Sequence, residues 1–208
     1  EIVDRAVPQA VTSVAEGLCI ELADGRNTGP FETLIWAVGR SPNSGDLGLA
    51  GTGVATGSRG EIIADLRQDT SAAGIHAIGD VTGREALTPV AIAAGRRLAD
   101  RLFGGISDRH LDYRMIPTVI FTHPPIGTVG QTEAEARAKH GDSVAVFRAD
   151  FVPLYHGLTE RKRRAEMKLV TIGAEQRIVG LHVIGAGADE MLQGFAVALR
   201  MGSTKRDF

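Results

Sequence analysis

Residues 74–96 have the sequence GIHAIGDVTGREALTPVAIAAGR, and this stretch decides the fold. Its first part, Gly74–Ile78, is a short, mostly apolar run, which predicts a buried strand that ends at Gly79 and Asp80. An acidic residue directly after a buried strand lies where α/β sheets place ligand contacts, at the carboxyl edge of the sheet. Asp80 is therefore a candidate ligand-binding residue. The alternative is that it only caps a turn through its own backbone.

A helix is predicted after this turn. Thr88 is a good N-cap residue, and Pro89 suits the first helical position. Gly104 ends the helix after apolar residues at every fourth position: Val90, Ala94, Leu98 and Leu102. The free amides of the first turn form a positive end suited to an anionic or electron-rich group. Asp80 and the start of this helix together predict a cradle for a cofactor.

Three further strands are predicted before this stretch. Ala10–Ala15 and Leu18–Ala23 flank the turn Glu16-Gly17, and Thr33–Val38 is a continuous apolar run. Residues 41–60 are rich in Gly, Ser and Asn, which is typical of a loop and marks a candidate domain boundary.

After residue 113 the pattern changes to short strands, turns and two helices. One helix opens with the capping box Thr132-x-x-Glu135. The other, about 188–201, is apolar around most of its circumference, so we expect a core helix or one that meets another subunit. His123-Pro124-Pro125 predicts a rigid turn, with Pro124 a candidate for a cis peptide bond. The predicted strands are Thr118–Phe121, Val144–Ala149, Ala165–Val170 and Ile178–Ile184.

The composition excludes several classes of protein. The 23 basic and 25 acidic residues give a net charge of −2, so no global field attracts nucleic acid or an anionic membrane surface. No apolar run approaches the ~18 residues that a membrane span needs. Cys19 is the single cysteine, which excludes a disulfide framework, a Cys-x-x-Cys pair and a zinc knuckle within the chain. A reducing, cytoplasmic location fits this composition, and no metal site is expected.

Two other motifs are better explained by structure than by binding. Residues 185–190, GAGADE, follow a strand and open a helix, but the sixth position of a dinucleotide fingerprint should be Gly or Ala and is Glu190 here. The basic run Arg161–Arg164 could bind phosphates, yet it lacks interleaved aromatic residues and is typical of a solvated hairpin tip.

Five blocks, in their order along the chain, resemble the carboxyl-terminal half of the flavin disulfide reductases, the class I pyridine nucleotide-disulfide oxidoreductases. Among these, the resemblance to the glutathione reductases is strongest. The match extends over nearly the whole chain, and the shared order of the blocks makes it specific. The blocks are Leu34–Asn43, Ile78–Val81, Leu87–Arg96, Ile116–Gly130 and Asp189–Ala198.

The resemblance implies a fold class and three domains. Residues 1–42 resemble the end of the NADPH-binding domain, and residues 43–112 resemble the returning segment of the FAD-binding domain. Partial α/β nucleotide-binding domains are therefore expected. Residues 113–208 resemble the dimerisation domain, which is α+β with an antiparallel sheet, so the resemblance implies a homodimer formed through these residues.

The resemblance also implies roles in binding FAD and NADPH. The residue that matches Asp80 hydrogen-bonds the ribityl chain of the flavin, and the amide at the Thr88 position contacts the pyrimidine edge of the flavin. Gly39 and Arg40 match positions close to the NADPH pyrophosphate, and a guanidinium suits a phosphate group.

Two further residues are implied to bind the substrate, glutathione disulfide. Arg96 matches an arginine that meets a glutathione carboxylate. Tyr155 belongs to a block that borders the disulfide site from the partner subunit. The alternatives are a surface arginine on the polar face of its helix and an ordinary half-buried tyrosine.

The resemblance implies that the family's redox pair, Cys-x-x-x-x-Cys, lies before Glu1 and that its terminal His-Pro motif with its glutamate lies after Phe208, so no catalytic residue is assigned in this chain. We expect a segment of an NADPH- and FAD-dependent glutathione-disulfide reductase that is inactive alone and does not retain its cofactors. The alternatives are a sister enzyme, such as a dihydrolipoamide dehydrogenase or a mercuric reductase, and a non-catalytic dimerisation module.

Overall fold

A computed structural model describes residues 2–208 of the chain. The chain divides into two compact units, the first ending at His110 and the second extending from Leu111 to Phe208. Each unit combines an antiparallel sheet with helix, so the predicted mixture of α and β structure is confirmed. The domain boundaries after residues 42 and 112 stay predictions, although the division between the two units lies close to the second.

The first unit begins with a three-stranded antiparallel meander. Its strands are β1 (Pro8–Val14), β2 (Gly17–Leu22) and β3 (Asn27–Phe31), in that order across the sheet. The first two overlap the strands predicted over Ala10–Ala15 and Leu18–Ala23, and Gly17 lies at the tight turn between them. Leu22 is the buried residue of this sheet.

Two strands predicted in the first unit are absent from the described residues. Thr33–Val38 has no regular structure, and Ile35 is 84% exposed. Gly74–Ile78 forms only a single bridge, from His76 to Asp69, and of its five residues only Ala77 is buried. Both predictions are wrong for one reason: an apolar run becomes a strand only where a neighbouring strand pairs with its backbone along its length. Thr33–Val38 has no such neighbour among the described residues, and Gly74–Ile78 pairs with its neighbour at a single bridge.

The helix predicted after Asp80 is confirmed as α1 (Thr88–Phe103). It ends where Gly104 donates its N–H to the carbonyl of Asp100 over 2.9 Å. Ala94 is fully buried on its inner face. A small core lies beside it and consists of Val54, Ile62 and Ala77.

The second unit is built on a five-stranded antiparallel sheet with the order β4-β5-β8-β7-β6. The four predicted strands are confirmed, and β5 is a fifth that the sequence pattern did not predict. Glycines at positions 127 and 130 conceal β5, because glycine disfavours strands and carries no side chain to show alternation. The strands are β4 (Thr118–Ile120), β5 (Ile126–Gly130), β6 (Val144–Phe151), β7 (Ala165–Ile172) and β8 (Arg177–Ile184).

Two helices cover opposite faces of this sheet. Leu169 packs in the cluster of α3 (Ala188–Arg200), whereas Val170 packs in the cluster of α2 (Glu133–His140). Successive side chains of a strand point to opposite faces, so the helices lie on different sides. The α3 helix is a core helix, as one of the two expectations for it requires, because four of its residues are buried: Ala188, Leu192, Ala196 and Leu199.

Other local predictions in the second unit are also confirmed. The capping box at the start of α2 is formed, with the N–H of Glu135 donating to Thr132 Oγ1 over 3.3 Å. The peptide bond between His123 and Pro124 is cis. No helix within residues 2–208 has the length and apolar character required to cross a membrane.

Candidate functional site

A cleft of about 560 Å³ lies in the first unit, where three segments of the chain meet. The segments are residues 39–43, the turn that carries Arg59, and the 3-10 helix Gly79–Thr82 with the residues directly after it. This arrangement brings together three residues that the sequence analysis selected: Gly39, Arg40 and Asp80.

Hydrogen bonds hold these segments to one another. The hydroxyl of Ser44, which is only 7% exposed, donates to the carbonyl of Gly60 over 2.5 Å. The N–H of Ile62 donates to the carbonyl of Val81 over 2.9 Å. Because both bonds end on the turn that carries Arg59, this turn connects the first segment of the cleft to the third.

Asp80 is positioned by a close approach of its backbone to α1. Gly79 has φ 73°, and a Cβ added to it would lie 3.1 Å from the Cβ of Ala91 in the first turn of α1. The carbonyl of Asp80 closes the turn by accepting the N–H of Gly83 over 3.0 Å. Its carboxylate is exposed and makes no hydrogen bond or ion pair within residues 2–208, so it is available to a ligand.

Thr88 is the first residue of α1 and not its N-cap, so the prediction that it caps the helix is wrong. The N-cap is Leu87, whose carbonyl accepts the N–H groups of Val90 and Ala91 over 3.0 and 3.1 Å. The N–H of Thr88 is one of the amides with no partner inside the helix. Thr88 is not among the residues that line the cleft, which α1 flanks through its contact with Gly79.

The charges around the cleft favour an anionic ligand with hydroxyl groups. Three arginines and one aspartate line it. Arg84 donates to the carbonyl of Ala64 over 2.6 Å, which fixes its guanidinium. Arg40 and Arg59 are exposed and form no ion pair with any residue from 2 to 208. A guanidinium matches the oxygens of a phosphate, and the carboxylate of Asp80 can accept a hydrogen bond from a hydroxyl.

Arg59 and Arg84 also line the cleft, although no sequence pattern predicted them. Both reach the cleft through contacts that no short motif encodes, since the Ser44–Gly60 bond joins residues 16 positions apart and the Arg84 bond joins residues 20 apart. The one signal in the sequence was the Arg59-Gly60 pair in a polar stretch. Such a pair indicates an exposed turn but does not show which segments pack against it.

The two substrate-binding candidates lie in different units. Arg96 is exposed on α1 and has no side-chain partner among the described residues, whereas the adjacent Arg97 donates to the carbonyl of Ala93 over 3.1 Å. Tyr155 belongs to the 3-10 helix Leu154–His156 of the second unit and is 83% exposed. In this chain by itself the tyrosine side chain is exposed and not half-buried.

The hydrogen-bonding groups of the cleft suit an organic ligand. Its arginines, its aspartate and the nearby helix N-terminus match the phosphates, hydroxyls and electron-rich ring of a dinucleotide. Within residues 2–208, no group of three or more His, Cys, Asp or Glu side chains is arranged to hold a metal ion.

Two family models match the chain, and together they account for most of it. The model of the pyridine nucleotide-disulphide oxidoreductases matches residues 2–95. The model of the dimerisation domain of the pyridine nucleotide-disulphide oxidoreductases matches residues 116–208.

Curated relatives give the same result. Glutathione reductase of Schizosaccharomyces pombe is 49% identical over 194 residues, which are 92% of this chain and 42% of the relative. Glutathione reductase of Yarrowia lipolytica is 44% identical over 181 residues, which are 86% of this chain and 38% of the relative. The chain thus spans about two fifths of the length of these relatives.

Solved structures share the fold. The HOCl-induced flavoprotein disulfide reductase RclA from Escherichia coli superposes with a TM-score of 0.81 at 24% identity, over 96% of this chain and 45% of its own. Its Cu(II) complex superposes with a TM-score of 0.83 at the same identity, over 96% of this chain and 44% of its own. At this level of identity, the likeness shows the fold alone.

Proposed function

The chain belongs to the pyridine nucleotide-disulphide oxidoreductase family, and on that premise we propose that it is part of a homodimeric flavoprotein that uses NADPH and FAD to reduce glutathione disulfide. The observation that carries the proposal is the cleft that Arg40 and Asp80 share, in a chain 49% identical to a glutathione reductase. A reducing cytoplasm is the setting we propose for this activity.

Asp80 and Thr88 are the residues proposed to hold FAD. The free carboxylate of Asp80 accepts a hydrogen bond from a hydroxyl of the ribityl chain. The N–H of Thr88 and the positive end of α1 stabilise negative charge on the pyrimidine edge of the ring. The flavin, when bound, supplies the electron transfer between NADPH and a disulfide. The residues of this chain orient it and adjust its charge.

Gly39 and Arg40 are proposed to bind the pyrophosphate of NADPH. Gly39 has φ 97° and no side chain, so a phosphate can approach its backbone closely. Arg40 is exposed at the rim of the cleft and can present two N–H groups to phosphate oxygens. We expect these contacts to position the nicotinamide and to take no part in proton transfer.

Arg96 and Tyr155 are proposed to bind glutathione disulfide. Arg96 has no partner in the described chain and can form a charge-assisted hydrogen bond with a substrate carboxylate. Tyr155, from the partner subunit, borders the same site. With a single cysteine, the chain does not itself supply the thiol pair that disulfide exchange requires, so its part is binding and dimer formation.

The substrate assignment is tested by replacing Arg96 in the complete, flavin-loaded enzyme that contains this chain. Arg96→Ala should raise KM for glutathione disulfide about tenfold and leave kcat nearly unchanged, because the lost contact is made equally in the ground and transition states. Arg97→Ala is the matched control, since that side chain is bound to its own helix.

An unchanged KM in the Arg96→Ala enzyme would contradict the assignment and favour a sister enzyme that reduces an uncharged or cationic disulfide. Steady-state rates with glutathione disulfide, lipoamide and Hg(II) as alternative substrates distinguish the glutathione, lipoamide and mercuric branches. An enzyme that turns over none of the three would leave the non-catalytic dimerisation module as the better explanation.

A further inference from the structure

We infer that Arg59 is a second anion-binding residue of the cleft and that it acts with Arg40 on the pyrophosphate of a dinucleotide. The inference rests on the proposed function, which places a dinucleotide in the cleft. It adds a residue that lies 19 positions after Arg40 and outside every block that suggested a cofactor role.

The backbone around Arg59 is held firmly at the cleft. Arg59 lies in a tight turn whose two sides form a bridge between Thr56 and Ile62. Two hydrogen bonds hold this turn. The buried hydroxyl of Ser44 donates to the carbonyl of Gly60, and the N–H of Ile62 donates to the carbonyl of Val81. A guanidinium on such an anchored turn loses less conformational freedom on binding than one on a mobile loop.

The side chain of Arg59 extends toward the Asp80 turn. A Cβ added to Gly83 would lie 3.6 Å from Arg59 Nη2, so the guanidinium lies over the residue that follows the 3-10 helix. Asp80, Gly83 and Arg59 line the same space. The guanidinium therefore lies at the wall of the cleft, close to the residue proposed to hold the ribityl chain.

The guanidinium of Arg59 forms no hydrogen bond or ion pair with another described residue. The acid beside it on the turn, Glu61, uses Oε2 to accept the backbone N–H of Arg59 over 3.0 Å and makes no ion pair with its side chain. In contrast, Arg84 on the same cleft donates to the carbonyl of Ala64. Arg40 and Arg59 are thus the cationic groups of the cleft that can turn toward a ligand without breaking a contact among the described residues.

Two unpaired guanidiniums around one cleft match the chemistry of a pyrophosphate, which carries negative charge on each of two phosphates. Because Arg40 is proposed to bind the pyrophosphate of NADPH, this is the pyrophosphate that Arg59 meets; the pyrophosphate of FAD serves as the comparison. If Arg59 were only solvated, its replacement would change the affinity for neither cofactor.

The test measures binding, and it uses the complete protein that contains this chain. The flavin-free protein is titrated with FAD and with riboflavin, which lacks the pyrophosphate, and the flavin-loaded protein is titrated with NADP⁺. Arg59→Gln should raise the Kd of NADP⁺ about three- to tenfold, which corresponds to loss of an exposed charge-assisted contact, and should leave the Kd of FAD unchanged. Arg59→Lys should recover part of the loss, because it restores the charge but not the fork.

Arg177→Gln, an exposed arginine of the second unit, is the control and should change neither Kd. Weaker riboflavin binding in Arg59→Gln would overturn the inference, because the effect would not depend on the pyrophosphate. An unchanged Kd for NADP⁺, with or without a change in the Kd of FAD, would overturn it while leaving the proposed function intact. A wild-type protein that binds neither dinucleotide would overturn both.

Discussion

Gly79 is the residue that most directly determines where Asp80 lies. Its φ of 73° is one that side chains disfavour, and an added Cβ would lie 3.1 Å from Ala91. We predict that Gly79→Ala costs about 2 kcal/mol of unfolding free energy, because backbone strain and contact with α1 act together. Urea unfolding followed by circular dichroism measures the change.

Gly53→Ala is the matched control for this substitution. Gly53 has φ 76°, and an added Cβ would meet nothing within 4 Å, so its replacement introduces the strain without the contact. We expect a cost of about 1 kcal/mol. If both variants lose the same stability, the close approach of Gly79 to α1 has no energetic weight.

At the level of single residues, the sequence predicted some of the residues that line the cleft and not others. Asp80 was selected because it follows an apolar run, a pattern that extends over a few neighbouring residues, and Arg40 because it matches a family position close to the NADPH pyrophosphate. Arg59 and Arg84 were missed, because what brings them to the cleft is contact between segments that are 16 to 20 residues apart. No short pattern contains that information.

At the scale of elements, α2 shows how a few charges fix a short helix to a sheet. Glu133, in its first turn, contacts Lys168 Nζ of β7 at 2.9 Å, Arg137 Nη2 of its own helix at 3.1 Å and Arg148 Nη2 of β6 at 3.2 Å. The hydrogen bond from Lys168, followed by that from Arg137, lowers the pKa of Glu133 from 4.5 to about 2.

This pKa predicts a specific pH dependence. A carboxylate whose pKa is lowered by folding stabilises the protein above its unfolded pKa, and that contribution is lost as the pH falls through its folded pKa. Glu133→Gln should therefore lower the unfolding midpoint at pH 7. The difference from wild type should hold down to about pH 4.5 and shrink between there and about pH 2.

Glu175→Gln, in the exposed turn between β7 and β8, is the control and should show no such difference. Thermal unfolding at several pH values provides the comparison. A Glu133→Gln difference that stays constant or grows below pH 4.5 would mean that its ion pairs do not stabilise α2.

Elements were predictable where their own residues carry the signal. The capping box of α2 and the four-residue spacing of α1 lie within single helices, and both were found. Thr33–Val38 has the composition of a strand but does not form one, because a strand depends on pairing with a partner strand elsewhere in the protein. The same dependence explains why Gly74–Ile78 forms only one bridge.

At the scale of the whole molecule, this chain exposes more surface than a compact protein of its mass, which indicates that other protein segments cover part of that surface. The chain exposes 14275 Å². A compact protein of 22.0 kDa would expose about 9,300 Å², and two separate domains of half that mass about 11,200 Å². The excess therefore does not depend on how the two units are arranged.

The segment between β6 and β7 is the part of the second unit that we expect a second copy to cover, since residues 116–208 match a dimerisation domain. Leu154 is 94% exposed and Leu158 fully exposed, whereas α3 already buries its main apolar face on its own sheet.

We predict that light scattering gives the chain a mass near twice 22.0 kDa and that Leu154→Asp with Leu158→Asp reduces it to a monomer, because charges in an apolar interface oppose association. The paired control, Val197→Asp with Met201→Asp on the outer side of α3, should remain dimeric. A monomeric wild type at tens of micromolar would contradict the dimer. Dissociation of the control alone would place the interface on α3 instead.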